Sequence, residues 1–368
     1  MSLASADLDD DGDVDLVVGN RLSNDISILR NRGDGTFDPE VRFPGGSGEV
    51  SVELHDVDED GDADILITVE TTGEIRILEN DGDAAFTMAP TRLVGVNARR
   101  LTLADFDGDG VIDLAASRRP FHDVAIVRGT RGGGFASHRR LLRGALPSVH
   151  VSGDLDDDGD EDLVVGTLAQ SIEVLRNRGD ATFDAPVSLP TGSEIGGIAL
   201  LDIDGDDDLD LLATATALGR VLVARNDGSG TFGPFSSFDT GGRPFKIVGV
   251  DLNGDGATDV AMSDLEFSDL VVATNDGSGA FGSVLRTPSS PSPRLVRAAD
   301  LDGDEDLDLV MAHETGFDAF LNDGSGIMTR IPGPSSLQDA RALRTFDYTG
   351  DGRDDVVVSS TGGFPAVR

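Results

Sequence analysis

Apolar residues in this chain come in short runs, and the runs recur at a nearly constant distance. Leu16-Val17-Val18 and Ile65-Leu66-Ile67 begin the series, and its third members are Val18, Ile67, Ala116, Val165, Ala213, Met262, Met311 and Val358. Runs this short, bounded by Gly, Ser or Thr, predict buried strands and not helices. Residues 50–98 show the plan between runs. Ser51–His55 reads as a first strand and Ile65–Val69 as a second, with a turn at Thr71-Thr72-Gly73. Glu74–Leu78 alternates polar and apolar residues, as a half-buried third strand does. After Asn80-Asp81-Gly82-Asp83 and Phe86, a fourth strand is expected near Thr91–Val94. The turn before the fourth strand repeats as Asn31-Arg32-Gly33-Asp34-Gly35-Thr36-Phe37, Asn226–Phe232 and Asn275–Phe281, and Asn-Gly chemistry suits tight hairpins. Phe37, Phe86, Phe135, Phe183, Phe232, Phe281 and Met328 keep one phase and are expected in the core between sheets.

Four strands on a period near 49 residues make the blade of a β-propeller. The predicted fold class is therefore all-β, a β-propeller of four-stranded antiparallel blades. A length of 368 residues would suggest two or three ordinary domains, but the repeat replaces that expectation with a single domain. Its repeats are 1–49, 50–98, 99–147, 148–195, 196–244, 245–293, 294–340 and a partial 341–368. There are eight first-and-second-strand units but seven third-and-fourth-strand units, and Pro365-Ala366-Val367-Arg368 lies where the eighth third strand begins. Eight blades with the last incomplete are expected; seven blades with an overhanging hairpin are the alternative.

Acidic residues change the picture because they fall between the first and second strands at fixed spacing. Asp7-Leu8-Asp9-Asp10-Asp11-Gly12-Asp13-Val14-Asp15 puts carboxylates at positions 1, 3, 5 and 9 and glycine at position 6. Calcium takes six to eight oxygens, and alternate side chains of a tightly turned loop converge on one point. The pattern recurs as Asp56, Asp58, Asp60, Asp64; Asp105, Asp107, Asp109, Asp113; Asp154, Asp156, Asp158, Asp162; and Asp202, Asp204, Asp206, Asp210. It continues as Asp251, Asn253, Asp255, Asp259; Asp300, Asp302, Asp304, Asp308; and Asp347, Thr349, Asp351, Asp355. Position 7 reads Asp13, Asp62, Val111, Asp160, Asp208, Ala257, Asp306 and Arg353, so it can offer only a backbone carbonyl in common. Position 2 is apolar in Leu8 and is expected to point into the core. Position 12 is apolar throughout, where an EF-hand needs a bidentate Glu, so these are not EF-hands. The fifth and seventh loops carry Asp207 and Glu305 at position 6; Gly205 and Gly303 nearby are expected to relocate the bend. Thr349 makes the eighth loop the weakest expected site, and calcium, up to one per loop, is the expected cofactor.

Net charge is −39, and eight calcium ions would still leave −23. That balance argues against nucleic acid and anionic membranes as partners. No cysteine is present and no run of 18 apolar residues could insert in a membrane, so calcium would replace disulfides as the staple. Met1-Ser2-Leu3-Ala4 runs into the first repeat without a signal peptide. Calcium availability points to an extracellular or cell-surface location with a leader removed.

With these residues in hand the chain resembles a known family. Ala104-Asp105-Phe106-Asp107-Gly108-Asp109-Gly110-Val111-Ile112-Asp113-Leu114 and Leu29–Phe37 are similar to the FG-GAP/VCBS repeats of integrin α-subunit heads and bacterial surface proteins. The resemblance implies a calcium-binding propeller used mostly for adhesion or ligand binding. Phe-Gly survives only at Phe232-Gly233 and Phe281-Gly282, so the closer likeness is to the bacterial repeats.

The expected function is a non-enzymatic, extracellular, calcium-binding adhesion or ligand-binding module. The alternatives are a propeller-scaffold enzyme acting on acidic polysaccharide, or a lectin. No catalytic constellation is visible, because His55, His122, His138, His150 and His313 fall at different phases. Arg32-Gly33-Asp34 and Arg178-Gly179-Asp180 lie in hairpin turns where other copies carry Asp-Gly-Ser. Arg21, Arg99, Arg118, Arg119, Arg220, Arg243, Arg294 and Arg341 gather in the loops opposite the acidic ones. A protein or anionic glycan partner is expected on that face, at Arg99, Arg243, Arg294 and Arg341.

Overall fold

The computed structural model describes residues 2–46, 50–69, 71–89, 92–93, 98–118, 121–136, 138–334, 337, 340–360 and 363–367. Blade one consists of Ser2–Ala6, Asp15–Asn20, Asp25–Leu29 and Val41–Pro44, paired antiparallel in chain order. Eight such sheets follow one another among the described residues; the eighth has three strands, Ala342–Phe346, Asp355–Ser360 and Gly363–Val367. The strands are all-β as the apolar runs predicted. Second strands such as Asp64–Val69, Asp113–Arg118 and Asp162–Thr167 are buried at every residue. This is the burial of a strand covered on both faces by neighbouring sheets, which is why their sequences run apolar without alternation.

First strands lie beside the first strands of adjacent sheets, Ser2–Ala6 next to Val50–His55 and Pro147–Gly153 next to Ile195–Leu201. Ser2–Ala6 also lies beside Ala342–Phe346, so the ring closes between the first and last sheets. Leu3, Leu16, Val18 and Leu29 of blade one form a single cluster with Ala342, Tyr348 and Val357 of blade eight.

Two expectations need correcting. The fourth strand of blade two is not one segment near Thr91–Val94. Thr87–Met88 and Arg92–Leu93 pair separately with the third strand, and Pro90, which has no ladder N–H to give, stands between them in the sequence. Thr91 and Val94 lie outside the described residues. Nor is the bend relocated in the fifth and seventh loops. Asp207 and Glu305 adopt φ of 70° and 72° at position 6, while Gly205 and Gly303 are also left-handed. All eight loops share this pair of left-handed residues at positions 4 and 6, including Asp10, Glu59 and Asp157 at position 4. The tight turn is thus fixed by the loop's hydrogen bonds, and glycine only lowers its cost.

Candidate metal centres

Position 1 anchors each loop. Its Oδ2 accepts the N–H of position 6 in all eight copies, at 3.0 Å for Asp7 and Gly12 and 3.1 Å for Asp202 and Asp207. Position 5 accepts the N–H of position 7, as Asp11 does from Asp13 at 2.9 Å, and is exposed in every copy. Where position 7 is Asp, as in Asp13, Asp62, Asp160, Asp208 and Asp306, its carboxylate lies against the glycine of its own blade's hairpin turn. That is consistent with position 7 offering no side chain to the loop centre.

Position 9 is buried between loop and hairpin. Asp162 Oδ2 accepts the N–H of Leu155 at 3.3 Å and its Oδ1 that of Asn177 at 2.6 Å. The same two-sided grip holds at Asp15, Asp64, Asp113, Asp210, Asp259 and Asp308. Burial, opposed by these hydrogen bonds, pushes Asp15 and Asp162 up to about 7 and Asp64, Asp113 and Asp210 up to about 6.

Position 3 tests whether a cation fits. Buried Oδ1 atoms of Asp9, Asp58, Asp107, Asp156, Asp204 and Asp302 have no hydrogen-bond partner, and neither has Thr349 Oγ1 in the eighth loop. A buried carboxylate oxygen with no donor is costly unless a cation completes it. Asp7, Asp9 and Asp15 bring ligand oxygens within 4.8 Å of one another, as do Asp56, Asp58 and Asp64, and Asp105, Asp107 and Asp113. In the fourth and fifth loops the grouped residues are Asp154, Asp156, Asp158 and Asp202, Asp204, Asp206. An all-oxygen, carboxylate-rich set of this kind suits a hard divalent cation such as calcium. In the sixth loop Asn253 Oδ1 instead accepts the Asp255 N–H at 3.0 Å.

Two residue sets escaped the sequence reading. The second oxygen of position 3 meets an arginine from the end of its own third strand: Arg128 Nε at 2.7 Å from Asp107, Arg176 Nη1 at 2.7 Å from Asp156, Arg225 Nη1 at 2.5 Å from Asp204. The second set is the hairpin asparagine, read from sequence as turn chemistry alone. Its amide reaches the position-2 carbonyl of the preceding blade: Asn80 to Leu8 at 2.9 Å, Asn177 to Phe106 at 2.8 Å, Asn226 to Leu155 at 2.7 Å, Asn275 to Ile203 at 2.6 Å, Asn322 to Leu252 at 2.8 Å. The available signal was the asparagine repeated ahead of the Gly-rich turns, with arginine before it at Arg30-Asn31, Arg176-Asn177 and Arg225-Asn226.

The Arg-Gly-Asp triplets are engaged within these turns. Arg32 and Arg178 grip Asp38 and Asp184, each Nε at 2.7 Å, while Asp34 and Asp180 accept the Thr36 and Thr182 N–H groups.

On the opposite face, Arg294 and Arg341 line one pocket of about 500 Å³ with Phe245, Lys246 and Leu265. Arg243 is exposed but does not line it, and the Arg99 side chain lies outside the described residues, as does Arg119. Arg118, expected as surface charge, is buried and bidentate to Asp123 at 2.8 Å through both nitrogens. Arg220 is paired with Asp239 at 2.7 Å.

Comparison with known proteins agrees with this geometry. The FG-GAP-like repeat matches residues 7–67, 56–116, 154–213, 208–262, 251–311 and 300–358. Residues 117–153, outside these matches, include Gly129 where other blades carry the asparagine. No curated protein matches the chain. Among solved structures, a lectin of Agrocybe aegerita that recognises non-reducing terminal N-acetylglucosamine is similar over 99% of this chain and 100% of its own, at 20% identity and a TM-score of 0.60. Saccharomyces cerevisiae Sqt1 is similar over 100% of this chain and 97% of its own, at 12% identity and 0.67. A catalytically inactive virginiamycin B lyase from Staphylococcus aureus with quinupristin is similar over 86% and 92%, at 17% and 0.53. At these identities the likeness shows the fold alone.

Proposed function

The chain belongs to the FG-GAP-like repeat family, and from that premise we propose that it is a non-enzymatic, extracellular binding module whose propeller is stabilised by calcium. The observation that carries this reading is the row of donorless position-3 oxygens, one in each of seven loops. Positions 1, 3, 5 and 9, with the position-7 carbonyl, would hold the ion, and its charge would relieve the repulsion among carboxylates crowded into each loop. No helix among the described residues is long and apolar enough to cross a membrane.

Binding belongs on the face away from the metal loops. Leu22, Phe121, Leu168, Leu218 and Phe267 are exposed at the second-to-third-strand turns of five blades, around the pocket face that carries Lys246, Arg294 and Arg341. Exposed apolar residues with arginine are the composition of an interaction surface, and arginine pairs bidentately with carboxylate or sulfate. An anionic glycan or an acidic protein segment is the partner this chemistry fits.

The test is thermal melting with EDTA and with millimolar calcium, followed by binding of uronic-acid glycans to the wild type and to Arg294→Ala/Arg341→Ala. Extracellular sites bind at about 10⁻⁴–10⁻³ M. At tenfold excess each site contributes roughly 1.4 kcal/mol, so calcium is expected to raise the midpoint strongly. An unchanged midpoint removes the calcium reading, and equal glycan affinity in the double variant removes the binding face.

A further inference from the structure

First strands ring the propeller axis, and those of blades seven, eight, one and two lie side by side in that order. On these four, the third residue before position 1 of the metal loop is Arg297, Arg344, Ala4 and Glu53. All four stand at one height, because each pairs with position 11 of its own loop: Val310, Val357, Val17 and Leu66. At that height the remaining blades carry Thr102, Val151, Ala199 and Val248. Formal charge is thus confined to one side of the ring.

Arg297 is exposed to solvent, yet burial by the surrounding protein pushes its guanidinium below the usual value. Exposure within an enclosure is the condition of a side chain on the wall of a water-filled channel. Arg344 adds to that lowering and Glu53 opposes it. Burial raises the Glu53 carboxyl, and Arg344 and Arg297 oppose the rise. Glu53 and Arg297 act on each other although the first strands of blades one and eight separate them along the ring, so they face each other through its interior. No ion pair closes the gap. Among the described residues Arg297 has no hydrogen-bonded or ion-paired partner, and Arg344 gives only Nη1 to the Leu343 carbonyl, at 3.1 Å. Ala4, between Arg344 and Glu53, is too short to fill the space. Elsewhere in this acidic chain arginines meet carboxylates, as Arg118, Arg286 and Arg330 do. Two enclosed guanidinium groups without such a partner repel each other and favour an anion between them.

We propose that Arg297, Arg344 and Glu53 form a binding site for inorganic phosphate inside the central channel. The two guanidinium groups donate to phosphate oxygens, since their planar forks suit an oxyanion. Glu53 accepts the hydroxyl that phosphate keeps at neutral pH. A carboxylate repels any anion beside it, and only a ligand with a proton to donate offsets that repulsion with a hydrogen bond. Sulfate has no such proton, so Glu53 selects phosphate over sulfate. The site is distinct from the pocket at Lys246, Arg294 and Arg341. Arg294 precedes Arg297 by three residues on one strand, which puts the site roughly 10 Å further along the channel. Lys246, at the mouth, already donates to the Gly196 carbonyl at 2.8 Å and lies over the Phe245 ring at 4.8 Å. The proposal does not rest on the glycan reading of that face.

The test is calorimetric titration of the whole chain with sodium phosphate and, separately, with sodium sulfate. It is run at the lowest calcium that keeps the ring folded by circular dichroism and the solution clear of calcium phosphate by light scattering. Saturable one-to-one phosphate binding is expected, with sulfate weaker by about tenfold or more, the discrimination of a site that loses a hydrogen bond to its ligand. Arg297→Gln and Arg344→Gln are each expected to weaken phosphate about tenfold or more, the range for a hydrogen bond to a charged group. Glu53→Gln is expected to erase the preference for phosphate, because an amide can donate to either anion. Arg294→Ala/Arg341→Ala is expected to keep its phosphate affinity even if it loses glycan. The comparison of the two anions uses the unsubstituted protein, so it decides the matter even if a variant fails to fold. No saturation, sulfate binding as tight as phosphate, or phosphate affinity that falls in Arg294→Ala/Arg341→Ala but not in Arg297→Gln overturns the proposal.

Discussion

The amide of Asn31 donates to the backbone carbonyl of Tyr348 over 3.0 Å and so ties the first blade to the last. Phe37 supports this link with its ring 6.4 Å from that of Tyr348. Among the described residues no strand pairing joins these two blades, so the latch carries more of the contact between them. Asn31→Ala is expected to cost about 1–3 kcal/mol, the range for orphaning a buried carbonyl. It is also expected to speed hydrogen exchange in Ser2–Ala6 and Ala342–Phe346. Asn177→Ala, between sequential blades, is expected to leave those two strands protected. Denaturant unfolding and exchange at fixed calcium check both, and equal exchange in the two variants would place the closure elsewhere.

Positions 5 and 9 of one loop separate metal binding from folding. Asp158 is exposed, whereas Asp162 is buried with N–H groups on both oxygens. In EDTA, Asp158→Ala is expected to melt like the wild type. Asp162→Ala leaves two buried N–H groups without acceptors and is expected to lose about 2–5 kcal/mol. With calcium restored, both variants should lose one site by calorimetry. Comparable melting of the two in EDTA would mean that position 9 has no structural role.

The eighth loop should be the weakest, and repairable. Thr349 puts a neutral buried oxygen where six other loops put a carboxylate. Thr349→Asp is expected to tighten the weakest class of calcium sites by about tenfold, one added charge being worth on the order of 1–2 kcal/mol in a partly buried site. Calcium titration before and after the change reads it. A weakest class that does not move would assign that class to another loop.

Acid stability rests in part on Asp318, away from the metal loops. Its carboxyl is buried, which alone would raise it, but His313, Arg330 at 3.0 Å and the Ser290 N–H at 2.7 Å hold it down to about 2. A carboxylate lowered on folding adds stability above its unfolded value of about 3.9 and loses it as pH falls toward 2. The wild type is therefore expected to weaken through this window by on the order of 2–3 kcal/mol more than Asp318→Asn, which should be less stable at neutral pH. Parallel pH profiles for the two proteins would exclude the role.

The periodicity of the apolar runs was enough to reach the sheets, because a strand buried on both faces must be apolar at nearly every position. The acidic loops were legible because their carboxylates recur at fixed positions in one short segment, and the structure brings several of them together. What stayed hidden was anything decided between blades. Nothing local distinguishes an asparagine that shapes its own turn from one whose amide, like that of Asn80, ends on Leu8 of another blade. Arg118 read as surface charge because its partner Asp123 sits across a turn that had been read only as loop. Asp207 and Glu305 misled by residue type, since the loop's hydrogen bonds hold the left-handed turn without glycine.

The direction of the asparagine latches has a consequence for biosynthesis. Every one of them reaches from a later blade to an earlier loop, except Asn31, which must wait for Tyr348. On a ribosome the five blades that carry Leu8, Phe106, Leu155, Ile203 and Leu252 can thus be secured as soon as their successors emerge, with no need of anything further along the message. Asn31 alone is made 317 residues too soon. At roughly 5–20 residues per second, its hairpin stands ready for about 15 to 60 seconds before its acceptor exists. For that interval the nascent chain is an open arc whose first edge is exposed, and this is the edge a chaperone or a neighbouring nascent chain would meet.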